Sequence, residues 1–368
     1  MASRAVPAIL HVGMPKCGSS ALQAALSQHH LSNNYRYTVI RENADVISGE
    51  KLNQLANTSA TGYIPSVSSL KIDQWDNEHW QACRKRLFDL AGSKSTLVLS
   101  NEAWGNQSAQ FAKMNILRRL GLEADIIMYV RPQLQWLNSA WWQWGAWTGQ
   151  PFEDWLKINI VKADWYDAYE SWLVVPGVNS VTVRLLPSDV VTDFYHLIKQ
   201  AAPDVTRTNT SLPGYLLRFF QQHKDLRGGP HNSEIEFVVA RHVELPKEPT
   251  PWVLNKDHVL LCLRYYQRSN QQLLKVLPDE QQQEMENSAA WWSSEFYNSY
   301  MAHSPHESDL HSADVEQIAK QAMLALVALD RSHRQLQRRY DQLQHKKLST
   351  DSCKYHFSYW WHRLTRNG

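Results

Sequence analysis

The apolar positions of this chain alternate between short runs and helical stripes. Ala8 to Val12 is a largely apolar run and predicts a buried strand. From Ser19 to Leu31 the spacing becomes helical, with Leu22, Ala25 and Leu26 on one face. Residues 32–74 are polar and weakly periodic, with turn signals at Ser48-Gly49 and Thr61-Gly62, and predict a loop-rich excursion with short helices. Asp76 or Asn77 caps a predicted helix running to about Leu90, with Trp80, Cys83, Leu87 and Leu90 on one face and Gly92 closing it. Thr96 to Leu99 is a second buried strand, followed by a helix around Gln107 to Leu120 and a third strand from Ala124 to Val130. Residues 152–173 read as helical, Val181 to Leu185 as a fourth strand, and Pro187-Ser188-Asp189 as the turn into a helix through Leu197. Strands alternating with helices predict an α/β fold, a parallel sheet covered on both faces.

The later part of the chain changes character. Residues 223–251, with Gly228-Gly229-Pro230, predict a loop, and a helix follows from about Lys256 to Leu274. The expected division is a first domain over 1–300, a polar linker over 301–311 that holds His303, His306 and His311, and a helical extension over 312–368. In that extension Ala322, Leu326, Leu329, His333, Leu336, Tyr340 and Leu343 recur by four and three, a stripe that suits either a coiled coil or packing on the chain's own domain. The end, Tyr355 to Arg363, mixes aromatic and basic residues. Contact with a membrane surface or a lipid-linked acceptor, self-association through 312–368 and docking on the core all remain open for it.

Composition narrows the function classes. With 368 residues and 43% apolar content the chain can bury a real core, and a net charge of +2 gives no global pull toward nucleic acid or anionic membrane. No apolar run approaches the roughly 20 residues of a membrane-spanning helix. The four cysteines, Cys17, Cys83, Cys262 and Cys353, lie far apart, which predicts neither a metal cluster nor a disulfide framework. Met1 to Pro7 is short for a signal peptide ahead of the first strand, so the expected location is the cytoplasm, with the inner membrane face as a peripheral site. The 16 tryptophans cluster at 136–172, 291–292 and 360–361. Helical spacing puts Trp141, Trp144 and Trp147 toward one side, where they serve either core packing or stacking on an acceptor sugar.

The chemistry concentrates at His11 to Ser20. A strand, a tight loop and a helix N-terminus form an anion site, because backbone N–H groups converge where the helix dipole is positive. Gly13, four residues, Gly18 and then Ser19-Ser20 has the glycine spacing of a P-loop, but the lysine stands inside the loop at position 16, not after the second glycine. That argues against an ordinary magnesium-dependent nucleotide hydrolase. Lys16, Glu102 and Arg131 all fall just beyond predicted strand C-termini, where open α/β sheets bind ligands.

Pro15-Lys16-Cys17-Gly18-Ser19-Ser20 resembles the 5′-phosphosulfate loop of sulfotransferases that use 3′-phosphoadenosine 5′-phosphosulfate (PAPS), and Leu10 to Met14 is similar to bacterial members. Cys17 departs from the usual threonine or serine and replaces a hydroxyl with a weak donor. Arg131, seven residues, then Ser139 resembles the 3′-phosphate motif, and Leu99-Ser100-Asn101-Glu102 the segment carrying a glutamate base. Asn209-Thr210-Ser211-Leu212 and Ser269-Asn270 also resemble bacterial members. The resemblance implies a P-loop-like parallel sheet, PAPS as donor and PAP as product, and no metal. It implies donor binding by Pro15, Lys16, Cys17, Gly18, Ser19, Ser20, Arg131 and Ser139, and catalysis by Lys16 and Glu102. Together with the tryptophans it points to a glycan, glycolipid or other hydroxyl acceptor. A nucleotide kinase on the same scaffold, and a PAP-binding or scaffold module without catalysis, are the rival readings.

Overall fold

A computed structural model describes residues 5–32, 34–204, 212–227, 229, 232, 234–243, 250–302 and 312–364, with side chains described up to 340. Six strands form one sheet: β1 (Val6–His11), β2 (Tyr35–Ile40), β3 (Val46–Ser48), β4 (Thr96–Ser100), β5 (Leu122–Val130) and β6 (Val178–Leu185). Their spatial order is β3-β2-β4-β1-β5-β6. Every neighbouring pair is parallel except the hairpin between β2 and β3. The fold is therefore a mixed, mostly parallel α/β sheet flanked by helices, with a long helical segment at the C-terminal end.

β1 lies between β4 and β5, with Leu10 level with Leu99 on one side and Ile126 on the other. These three side chains, with Leu97, Val98, Met128 and Tyr129, are shielded from water in the core. Burial on both faces explains why β1, β4 and β5 read as continuous apolar runs. A polar relay joins β1 and β4 to the helix Ser19–Gln28: His11 Nδ1 and Ser100 Oγ lie 2.8 Å apart, and Gln23 Nε2 donates to Ser100 Oγ at 3.0 Å. Burial keeps the His11 imidazole neutral, pushing its pKa down to about 3.

Several expectations need correction. The excursion 32–74 contains β2, β3 and the helices Gly49–Thr58 and Ser69–Ile72. β2 is a strand because it pairs with both β4 and β3, a tertiary partnership its polar start conceals. The first helix stops at Gln28, short of Leu31. The single helix expected over 107–120 is split at Asn115, which is left-handed with φ of 53°, into Ser108–Met114 and Ile116–Leu120. Residues 152–173 break at Asp164, whose side chain accepts from Asp167 N and starts the helix Trp165–Leu173. The region 223–251 holds a helix, Glu234–His242, where a loop was expected. Asp76 caps the helix Asn77–Ala91, and Lys256–Leu274 forms as predicted.

The chain divides into two units, 1–241 with 245–309, and 242–244 with 310–368. The second unit carries the helix Ser312–Leu364, on which Leu326, Leu329, Leu336 and Tyr340 of the predicted stripe are exposed. The three linker histidines lie outside the described residues. Among the described residues no helix is long and apolar enough to cross a membrane.

Leu10 sits at the centre of the core. Leu10→Ala should cost about 2–5 kcal/mol, read as a lower denaturant midpoint at unchanged slope.

Candidate functional site

The loop after β1 leaves the sheet between the C-terminal ends of β4 and β5, and its backbone is tightly tied. Val12 N donates to Ile127 O at 3.1 Å, and Cys17 N to Met14 O at 3.1 Å. Trp136 Nε1 donates to Pro15 O at 2.6 Å, and Arg131 Nη1 to Lys16 O at 3.3 Å. Two carbonyls of the loop are thus bound to the segment that follows β5. Lys16 and Gly18 are both left-handed, with φ of 63° and 82°. Lys16 bears that strain as a side-chain residue. At Gly18 a side chain would also meet Val190 Cγ1 at 2.9 Å.

The helix Ser19–Gln28 begins immediately, and no side chain caps its first turn. Gly13 lies so close that a Cβ there would be 2.2 Å from Ser19 Oγ. Ser19 itself is buried, and its hydroxyl has no hydrogen-bond partner. An orphaned buried hydroxyl and uncapped N–H groups at a helix N-terminus are the surroundings an oxyanion fills.

Glu102 enters from β4. Asn101 N donates to His11 O at 3.3 Å, Asn101 Nδ2 donates to Ser66 O, and Asn101 Oδ1 accepts from Ala103 N at 2.6 Å. These bonds fix the 3-10 turn Glu102–Asn106 against the loop; within it a Cβ on Gly105 would lie 2.6 Å from Met14 Sδ. Lys16 is open to solvent, yet protein atoms crowd around it. Desolvation there lowers its pKa, Glu102 and then Glu236 pull it back up, and Arg131 pushes it down. Burial raises the Glu102 carboxyl against the downward pull of Lys16. Tyr63 adjoins the loop's end: its hydroxyl is 3.2 Å from Ser20 Oγ, and burial, with Glu102 adding to it, pushes its pKa up to about 12. Burial also pushes the Cys17 thiol up to about 12, so at neutral pH it is a thiol and not a nucleophile.

Arg131 follows β5 directly. Its Nη2 donates to Gln135 Oε1 at 3.4 Å, and its carbonyl accepts from Trp165 Nε1 at 2.8 Å. Ser139, half-buried, stands one turn beyond Gln135 on the helix Gln133–Gln143. The same helix is braced by reciprocal amide bonds between Gln133 and Asn270, and Ser269 Oγ donates to Asp164 Oδ1 at 2.5 Å. Asn209, Thr210 and Ser211 lie outside the described residues.

The three tryptophans do not share one helical face, because the helix stops at Gln143 and Gly145–Trp147 is a 3-10 turn. Trp141 is buried edge-on to Phe152 and Trp155, with centroids at 5.2 and 5.6 Å. Trp147 is buried too; its Nε1 donates to Trp142 O at 2.9 Å, and the Arg227 guanidinium lies 4.2 Å from its ring centroid. Those two rings serve packing. Trp144 is half-buried and lies 6.4 Å from Trp136.

Sequence reasoning missed Tyr63, Gln135, Arg227 and Glu236. Gln135 was accessible in principle, four residues from both Arg131 and Ser139. The others reach the site through the tertiary path alone. Among the described residues no three His, Cys, Asp or Glu side chains are grouped to hold a metal ion.

No protein-family model matches the chain, and no curated protein matches it significantly. A distant structural neighbour is the crystal structure of a sulfotransferase from Alicyclobacillus acidocaldarius, with 16% identity, a TM-score of 0.33, and coverage of 64% of this chain and 96% of that one.

The coupling of Lys16 to Glu102 has a sign that titration can read. Lys16→Met should raise the Glu102 pKa further, because the cation that favours its charged form is gone. Carboxyl carbon shifts followed by NMR against pH would show it; an unchanged Glu102 titration would mean that the two groups do not interact.

Proposed function

We propose that this chain is a sulfotransferase with a P-loop-like donor site, moving a sulfuryl group from PAPS to an acceptor hydroxyl, with a glycan or glycolipid as acceptor. The observation that carries the reading is the orphaned, buried Ser19 hydroxyl at an uncapped helix N-terminus, flanked by Lys16 and Arg131, with Glu102 beside the lysine. The donor group fits these residues: the loop Pro15–Ser20 offers amides and the Ser19 and Ser20 hydroxyls to the 5′-phosphosulfate, and Arg131 with Ser139 offers a guanidinium and a hydroxyl to the 3′-phosphate. Cys17, a buried thiol, contributes its backbone and not a hydroxyl.

When bound, PAPS supplies a sulfuryl group on a phosphate leaving group; the sulfur–oxygen bond to that phosphate breaks as one to the acceptor oxygen forms, releasing PAP. Lys16 neutralises the charge that grows on the leaving phosphate oxygen. Glu102 takes the proton of the acceptor hydroxyl. Its raised pKa makes it a better base than an ordinary carboxylate, and it must be ionised to act. Arg131 selects a 3′-phosphorylated nucleotide over ADP or ATP. A kinase is the weaker reading, because Ser19 stands where a P-loop requires lysine.

Calorimetry tests this. The protein should bind PAP well and ADP poorly without magnesium, and Arg131→Ala should weaken PAP binding about 10- to 100-fold, the worth of a charge-assisted contact. Equal affinity for PAP and ADP would overturn the reading. With an acceptor in hand, turnover should rise with pH through the raised Glu102 pKa, and Glu102→Gln should abolish turnover while keeping PAP binding.

A further inference from the structure

A buried polar seam ties the loop after β1 to its neighbours on either side. His11 ends β1, Ser100 ends β4, and Gln23 lies one turn after Ser19 on the helix Ser19–Gln28. All four of these side chains are buried. Ser100 Oγ is the meeting point, 2.8 Å from His11 Nδ1 and accepting from Gln23 Nε2 at 3.0 Å. Beyond it the chain passes through Asn101, whose N–H donates to His11 O at 3.3 Å, into Glu102.

Only one edge of the imidazole is used in this way. Gln23 already donates to Ser100, and among the described residues the Ser100 hydroxyl has no acceptor besides His11 Nδ1. The Ser100 proton therefore points to Nδ1, and the neutral imidazole carries its own proton on Nε2. That Nε2–H is a buried donor without a partner, and Ser19 Oγ is a buried hydroxyl without one. The two flank the same point: a Cβ on Gly13 would be 2.9 Å from His11 Cε1, the atom next to Nε2, and 2.2 Å from Ser19 Oγ. Packing alone does not require a histidine here. The Tyr129 and Phe194 rings, with centroids 5.9 and 6.1 Å from the imidazole, would flank an apolar side chain without the cost of burying an unpaired donor.

On the reading of this loop as the donor site, we propose that His11 is a positioning residue: with an oxyanion bound, its Nε2–H donates to Ser19 Oγ and leaves the Ser19 proton for the oxyanion. A hydroxyl has one proton to give, and one that accepts a bond donates a stronger one. The same ring holds Ser100 on the strand that leads to Glu102. One buried imidazole thus orients a donor contact and braces the segment that carries the base.

The test is a double-mutant cycle on the full chain, with wild type, H11N, S19A and H11N/S19A, read by calorimetry with PAP, ADP and pyrophosphate. Asparagine reaches the Nδ1 position and can keep the Ser100 bond, but it places nothing at Nε2. S19A should weaken PAP binding about 10- to 100-fold, the worth of a hydrogen bond to a charged group. H11N should weaken it about three- to tenfold in the wild-type background and less than about twofold beside S19A, because His11 acts through that hydroxyl. Equal losses in both backgrounds mark a merely structural residue and overturn the proposal, and so does unchanged affinity in H11N. If H11N does not fold, H11Q and H11M replace it. The two are close in shape, and only glutamine carries an N–H to the Nε2 position. H11Q should bind PAP about threefold or more tighter than H11M, with the gap closing beside S19A; equal affinities overturn the proposal. A wild type that binds ADP as well as PAP removes the sulfotransferase reading instead, and the cycle is then read with pyrophosphate. A wild type that binds none of the three overturns both.

Discussion

The whole site depends on one close approach, that of Gly13 to Ser19 across the loop after β1. No side chain fits between them. That contact turns the loop back on itself so that the first turn of the helix Ser19–Gln28 points its N–H groups into the space the loop encloses. The approach holds because β1 is gripped on both sides by parallel partners and because Trp136 and Arg131 hold two loop carbonyls. A fully buried indole and a strand-end guanidinium thereby do structural work on the element they adjoin, and the strain at Lys16, a lysine with φ of 63°, is borne by these bonds.

Electrostatics forms a second layer on this frame. Two cations, Lys16 and Arg131, and two carboxylates, Glu102 and Glu236, act on one another: both carboxylates favour the charged form of Lys16 and Arg131 opposes it, while Lys16 favours the charged form of each carboxylate. The excess of neither sign is large. A change at any one of these charges is therefore felt by the others.

Parts of this were legible in the sequence for a physical reason. β1, β4 and β5 are buried on both faces, so composition alone marks them, and Lys16, Glu102 and Arg131 follow as the polar residues just beyond their ends. β2 was not legible: Tyr35-Arg36-Tyr37 looks like surface, and only its pairing with β4 makes it a strand. The tryptophan spacing misled because periodicity does not show where a helix stops, here at Gln143. Glu236 and Tyr63 left no local signal, since each is brought to Lys16 or Ser20 by segments distant in sequence.

The 3-10 turn after β4 also touches the loop, and this couples two stretches that look independent in the chain. Gly105 stands so near Met14 Sδ and Gly13 O that a methyl group would be 2.6 Å from one and 3.0 Å from the other. The thioether can give way, while the carbonyl cannot without moving the loop. Mutational drift at positions 13, 14 and 105 is therefore concerted. A smaller residue at 14 would relieve only one of the two contacts; a larger residue at 105 still presses on the Gly13 carbonyl, so it becomes tolerable only if the loop backbone itself moves.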